Sequence, residues 1–245
     1  MQNNYAIRTR DDFWLDGVSG SSYGLAVEIP PVPPLAVQRY TQYQYGGDTF
    51  GFAPDTVFEP LTITVQARVI RNPQNFDNTE LYAFLQGKTT LKLSRFPGYH
   101  YRIRRLLGIT PKANVKGNEI VYNIQFVCDP WKYKDENAEF SLSNDGVITN
   151  PGTRYSKPIV RLTKSGNDEA TITTNGVKFK IAASQTGLIT IDSDRMLVYK
   201  TASNVNTAIT QYTTGNLPML SPGQNQMQVS NNVTGVTIVG NWRCY

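Results

Sequence analysis

Five residues, Pro30-Pro31-Val32-Pro33-Pro34, restrict this chain more than any other stretch. Each proline ring holds φ near about −65° and removes a backbone donor. The residue before a proline is pushed out of the helical region. The run is therefore extended, yet it cannot lie inside a sheet, where ladder hydrogen bonds would be lost. Strand-like sequence flanks it on both sides. Upstream, Phe13-Trp14-Leu15 turns at Asp16-Gly17, and a second extended piece runs from Tyr23 to Ile29. Downstream, Gln38 to Tyr45 is a polar strand closed by Gly46-Gly47-Asp48. A prolyl stretch between two strands is either a surface crossover within one domain or an arm that touches a neighbouring copy. On the second reading Pro30, Pro31, Pro33, Pro34, Tyr40, Tyr43 and Tyr45 make the arm.

The sequence beyond it reads as strands with a single helix. Leu61 to Val69 alternates apolar and polar residues with period two, Pro60 stands at its start, and Asn72-Pro73 stops it. The helix signal is Asn78 to Gly87. Asn78 is placed to cap it, Leu81, Phe84 and Leu85 form an i, i+3, i+4 stripe, and Gly87 ends it. Three strands follow, Thr89 to Ser94, Tyr99 to Ile109 and Glu119 to Cys128. Asp129-Pro130-Trp131 breaks the pattern and a polar run continues to Glu139, so the domain boundary falls there. Residues 1–130 form a β domain with one helix.

Residues 131–245 carry no helix signal, only short strands separated by turns, the pattern of a sandwich or jelly roll. Asn144-Asp145-Gly146 reads as a turn, and Asp192-Ser193-Asp194-Arg195 as a hairpin loop. Asn175-Gly176, between two alternating runs, is the strongest hairpin signal in the chain. Trp242 shares a strand face with Val236 and Ile238 and completes the core.

Composition narrows the function. The net charge of +5 tempts one toward nucleic acid. Residues 1–130 hold 13 basic against 11 acidic side chains and residues 131–245 hold 11 against 8, so the charge is spread, whereas a specific binder gathers it. Arg102, Arg104 and Arg105 are the densest basic cluster: a solvated strand face, or the polar lining of a ring that contacts DNA phosphates without reading sequence. Cys128 and Cys244 are too few and too far apart for a disulfide scaffold or a zinc site. The single histidine, His100, has no nucleophile motif beside it, and no carboxylate pair marks a hydrolase. The N-terminus has no apolar secretory core and no run approaches membrane-spanning length, so a soluble product of the cytoplasm is expected.

Several short motifs, taken in order, resemble the distal tail proteins of long-tailed phages that infect Gram-positive bacteria. They begin with the aromatic strand, Asp16-Gly17, Tyr23-Gly24-Leu25, the Pro30–Pro34 link and Gly46-Gly47. Phe126, Cys128 and Pro130 then close the first domain. Asn150, Gly152, Ser156, Pro158 and Ile159 follow, then Ile189, Ile191 and Asp192, and last Leu220, Gly223, Asn225, Met227 (in place of the usual aliphatic) and Ser230. The resemblance implies a mainly β virion protein: a sandwich or split-barrel ring domain over 1–130 and a galectin-like sandwich of jelly-roll type over 131–245. It implies a homo-hexamer at the tail tip, between the tail tube protein and a tail-associated fibre or spike, with receptor-binding proteins outside and DNA passing within. No enzyme activity, cofactor, metal or membrane insertion is expected. The alternative is a carbohydrate-binding adhesion module acting through the second sandwich, where Tyr199 and Tyr212 are the aromatics left for a sugar platform.

Overall fold

A computed structural model describes residues 11–45, 49–70, 78–113, 120–143 and 145–245. It is mainly β and divides into two compact units, residues 1–133 with Tyr245 and residues 134–244.

The first unit contains β1 (Phe13–Leu15), β2 (Val18–Ser19), β3 (Leu25–Ile29), β4 (Gln38–Tyr45), β5 (Thr49–Phe58) and β6 (Leu61–Val69). After α1 (Asn78–Leu85) come β7 (Thr90–Leu93), β8 (Tyr99–Ala113) and β9 (Ile120–Lys134). One sheet runs in the order β2-β1-β7-β8-β9-β6-β3. The strict alternation of β6 buries Leu61, Ile63, Val65, Ala67 and Val69, and their register against Cys128, Phe126, Ile124 and Tyr122 of β9 builds one core. Helix α1 buries its expected stripe, Leu81, Phe84 and Leu85, and Gly87 beyond it has a φ of 72°. Three such side chains are worth about 2 kcal/mol each, which holds a helix too short to persist on propensity. The side chain of Asn78 and the Asn72-Pro73 stop lie outside the described residues.

Strand β9 corrects one expectation. It does not break at Asp129-Pro130-Trp131 but continues to Lys134. Strand β6 begins at Leu61, opposite Cys128, so past that point its edge asks no donor of Pro130. A proline is tolerated where a ladder has ended on its side.

The second unit is a sandwich. Its strands are β10 (Glu139–Leu142), β11 (Asp145–Asn150), β12 (Ile159–Lys164), β13 (Ala170–Thr174), β14 (Val177–Ile181) and β15 (Gly187–Asp192). They continue with β16 (Leu197–Ala202), β17 (Val205–Ala208), β18 (Thr213–Gly215), β19 (Gly223–Val229) and β20 (Val233–Val239). The two sheets run β10-β20-β12-β15-β16-β17 and β11-β19-β13-β14-β18. Alternate residues of both face inward: Val160, Leu162, Ile189, Ile191 and Ile238 from one, Ile148, Ile172, Phe179, Ile181 and Met227 from the other. The Asn175-Gly176 turn joins β13 and β14 as expected, both residues at positive φ. The Asp192–Arg195 stretch joins the paired strands β15 and β16, also as expected.

Two readings fail here. Asp145 and Gly146 are not a turn but the start of β11, paired with Gln228 and Met227. A Cβ at Gly146 would lie 2.3 Å from Leu142, so this glycine makes room for a neighbouring side chain instead of bending the chain. Asn144 lies outside the described residues. Trp242 is in the core, packed edge-on to Phe140 at 5.9 Å, but it follows β20 instead of lying on it.

Candidate functional site

The proline run is placed between β3 and β4, and its exposure is uneven. Pro31 is buried, Pro30 and Pro33 are half-buried and Pro34 is exposed. Four aliphatic side chains along the same stretch stand in solvent: Ile29 is 60%, Val32 69%, Leu35 77% and Val37 62% exposed. The stretch leads into β4 and β5, which among the described residues pair only with each other. The amide of Glu59 donates to the Val37 carbonyl at 2.9 Å, and Arg39 pairs with Glu59 at 2.9 Å. A two-stranded ribbon is marginal by itself, so a further surface would stabilise it. Tyr40 is exposed. The side chains of Tyr43 and Tyr45, and the Gly46-Gly47-Asp48 loop, lie outside the described residues.

The arginines of β8 do different things. The buried carboxylate of Asp129 accepts from the Arg104 guanidinium and, at 2.8 Å, from the Tyr133 hydroxyl. The Arg102 guanidinium lies 4.0 Å from the centre of the Tyr133 ring, and His100 stacks near that ring at 5.6 Å. Arg102 and Arg104 are thus tied to an aspartate and a tyrosine four residues apart on β9. Arg105 is exposed. The Asp129–Tyr133 pair was missed from the sequence because Asp129-Pro130 read as a strand end. His100 is half-buried within this stack.

Asp16 shows how a short motif acts. Its carboxylate accepts from the amides of Thr89 and Thr90 and from both hydroxyls, at 2.8 to 3.3 Å. Burial pushes the Asp16 carboxyl up, but those hydrogen bonds together outweigh it and hold it below its usual value. In β9 and β8, burial pushes the Cys128 thiol up to about 12, helped by the Asp129 charge, and burial with the nearby Cys128 likewise pushes the Tyr101 phenol up to about 12. Neither cysteine is bonded, and both are buried.

The second-unit motif residues are also structural. The Asn225 amide donates to the carbonyls of Ser221 and Gly223 at 2.7 and 2.9 Å, while its oxygen accepts from the Ser221 amide and from Asn175. Asn150 donates to the carbonyls of Arg154 and Leu220 and accepts from the Gly152 amide. Asp192 accepts from the amides of Asp194 and Arg195, so its carboxylate closes the hairpin loop. Asp194 pairs with Arg243. Tyr199 is half-buried on β16, and Tyr212 is exposed in the turn before β18. Trp131 packs against Phe58 and Tyr245. Among the described residues no cluster of His, Cys, Asp or Glu could hold a metal, and no helix is long and apolar enough to cross a membrane.

No family model and no curated protein matches this sequence. Solved structures do. The Dit protein of phage SPP1, a hub adsorption protein of a phage infecting Gram-positive bacteria, superposes with a TM-score of 0.67 at 17% identity, over 94% of this chain and 97% of that one. Two structures of the phage p2 baseplate in its activated conformation, with strontium and with calcium, also match. Their TM-scores are 0.55 and 0.54, both at 10% identity, over 94% and 93% of this chain and 96% of each of theirs. Along nearly its whole length, the chain has the fold of the phage distal tail and baseplate hub proteins.

Proposed function

We propose that this chain is a structural virion protein of a phage tail tip, the distal tail protein that joins the tail tube to the host-recognition apparatus. The observation that carries the reading is the fold agreement with the SPP1 Dit protein, which spans both units and leaves almost nothing of either chain unmatched. At this identity the agreement speaks for the fold. The role rests on it together with the order of the short motifs.

On this reading six copies close into a ring through the first unit. It docks on the tail tube protein above and a fibre or spike protein below, holds receptor-binding proteins outside, and passes DNA without reading it. A closed ring uses one heterologous interface, so each copy needs two different adhesive surfaces. The exposed aliphatic run Ile29, Val32, Leu35 and Val37 supports the arm as one of them. Arg104 and Arg105 are both exposed and could face a lumen, Arg104 while pairing with Asp129, whereas Arg102 is half-buried over the Tyr133 ring.

Light scattering and negative-stain imaging of the full chain test this. A ring of about six copies is expected, and the Val32→Glu/Leu35→Glu double variant should be monomeric with unchanged circular dichroism. A wild type that stays monomeric at high concentration, or a double variant that still closes rings, would reject the assignment.

A further inference from the structure

Asn175-Gly176 is the only Asn-Gly pair in the chain. In such a pair the glycine nitrogen, unhindered by a side chain, attacks the asparagine Cγ. The new C–N bond closes a five-membered succinimide, the bond to Nδ2 breaks, and ammonia leaves. Water then opens one of the two ring carbonyls to give aspartate or isoaspartate, so one water is consumed and one ammonia released. The tip is open to water. Both residues are exposed, and apart from the adjoining chain no residue lies within 4 Å of where a Cβ on Gly176 would stand.

The fold nevertheless holds the reaction off in two ways. The first is the backbone. Asn175 has a φ of 50°, in the left-handed region, where ψ is about +30 to +60°. There the Asn175 Cβ points to the far side of the peptide from the Gly176 nitrogen, and the ring cannot close until the turn unwinds. The second is the side chain. Asn175 Nδ2 donates to Asn225 Oδ1 at 2.8 Å, and Asn175 Oδ1 accepts from the Gln226 amide at 2.9 Å. The Asn175 amide also donates to the Gln226 carbonyl at 2.9 Å, so three bonds seat the tip on β19. Asn225 is itself fixed, being 1% exposed and bonded to Ser221 and Gly223. The first unit repeats the arrangement at its own turn. Asp16 and Gly17 have φ of 49° and 83°, and Thr89 and Thr90 hold the Asp16 carboxylate.

We propose that Asn175 is a latent modification site, silent while the tip is seated on Asn225 and Gln226 and deamidated when it lifts off. The conversion runs one way. Aspartate has no Nδ2 to offer Asn225, and isoaspartate lengthens the main chain by one carbon at the tip, so Thr174 no longer meets Val177 as its partner. The hairpin thus keeps a permanent record of its own opening, at a rate set by the fraction of time it spends open. The proposal rests on this turn alone and does not depend on a role at the tail tip.

The test holds the full chain in mildly alkaline buffer and measures deamidation by mass in the tryptic peptide Ser165–Lys178. The blocked peptide Ac-Thr-Thr-Asn-Gly-Val-Lys-NH₂ gives the unprotected rate. Two side-chain hydrogen bonds of ordinary strength predict a rate in the folded chain about thirtyfold below that of the peptide. Asn225→Ala removes one of them and should raise the folded rate about fivefold. Ile189→Ala weakens the core from the other sheet without touching the tip, and should leave the rate at the wild-type value. The deamidated chain, separated by its added charge, should exchange the amide hydrogens of residue 175 and Gln226 faster than the unmodified chain. Deamidation as fast as in the peptide, no acceleration in Asn225→Ala, equal acceleration in Ile189→Ala, or unchanged exchange in the modified chain would each overturn the proposal.

Discussion

The two units solve the same problem, closing a β core, with opposite treatments of what is left over. The second unit turns its polar residues inward as fasteners. Asn225 and Asn150 each hold several backbone groups of loops that would otherwise be unpaired. The first unit also ties loop amides with a side chain, as at Asp16, but leaves a row of aliphatic side chains in water between Ile29 and Val37. A satisfied loop costs nothing to expose, whereas an apolar run does. On the proposed reading, that exposed run is what a neighbouring copy would cover.

The largest effect that would break this contrast is at Asn225. Asn225→Ala strips the loop amides and carbonyls of partners in a buried setting and should cost about 3–4 kcal/mol. Denaturant unfolding followed by Trp242 fluorescence reads it; a loss below about 1 kcal/mol would mean the loop is held by something else. Next comes the arginine cluster of the first unit. Arg104→Ala leaves the buried Asp129 carboxylate to the Tyr133 hydroxyl, at a cost of about 2 kcal/mol. Arg105→Ala should cost about 0.5 kcal/mol at most. Equal losses at the two positions would contradict their different placements.

Alkaline pH should separate the units without mutation. Cys128 and Tyr101, both in the first unit, have folded-state pKa values pushed up to about 12 by burial. A group whose folded value lies above its unfolded one contributes stability that is present below the unfolded pKa and lost as pH rises through the folded one. The first unit therefore weakens from about pH 9 toward pH 12, and fluorescence from a single-tryptophan variant keeping Trp131 should change before one keeping Trp242. A simultaneous transition would count against this.

The smallest effect is at Asp16, whose carboxyl is held below its usual value. Its contribution is present above the unfolded pKa of about 3.9 and disappears as pH falls through the lower folded value. Asp16→Asn should therefore be less stable than the wild type at pH 7, by an amount that shrinks below about pH 4. A gap that persists unchanged at about pH 2 would point to packing instead of the carboxylate.

What the sequence determined by itself is local. Period two in Leu61–Val69 named the buried face of β6, the spacing of Leu81, Phe84 and Leu85 named the helix stripe, and Asn175-Gly176 named a hairpin, because each depends on residues a few positions apart. Motif order carried the fold family for the same reason: Asp16, Asn150 and Asn225 are short-range signatures of loops that must be tied. Tertiary structure decided the rest. Whether Pro130 ends a strand depends on where β6 begins, some seventy residues earlier, and whether Asp145-Gly146 bends or pairs depends on β19. Trp242 reaches the core from a loop, and the Asp129–Arg104–Tyr133 contact joins adjacent strands. Such contacts arise from which strands become neighbours. A period of two tells which face a residue takes but not what it will meet there.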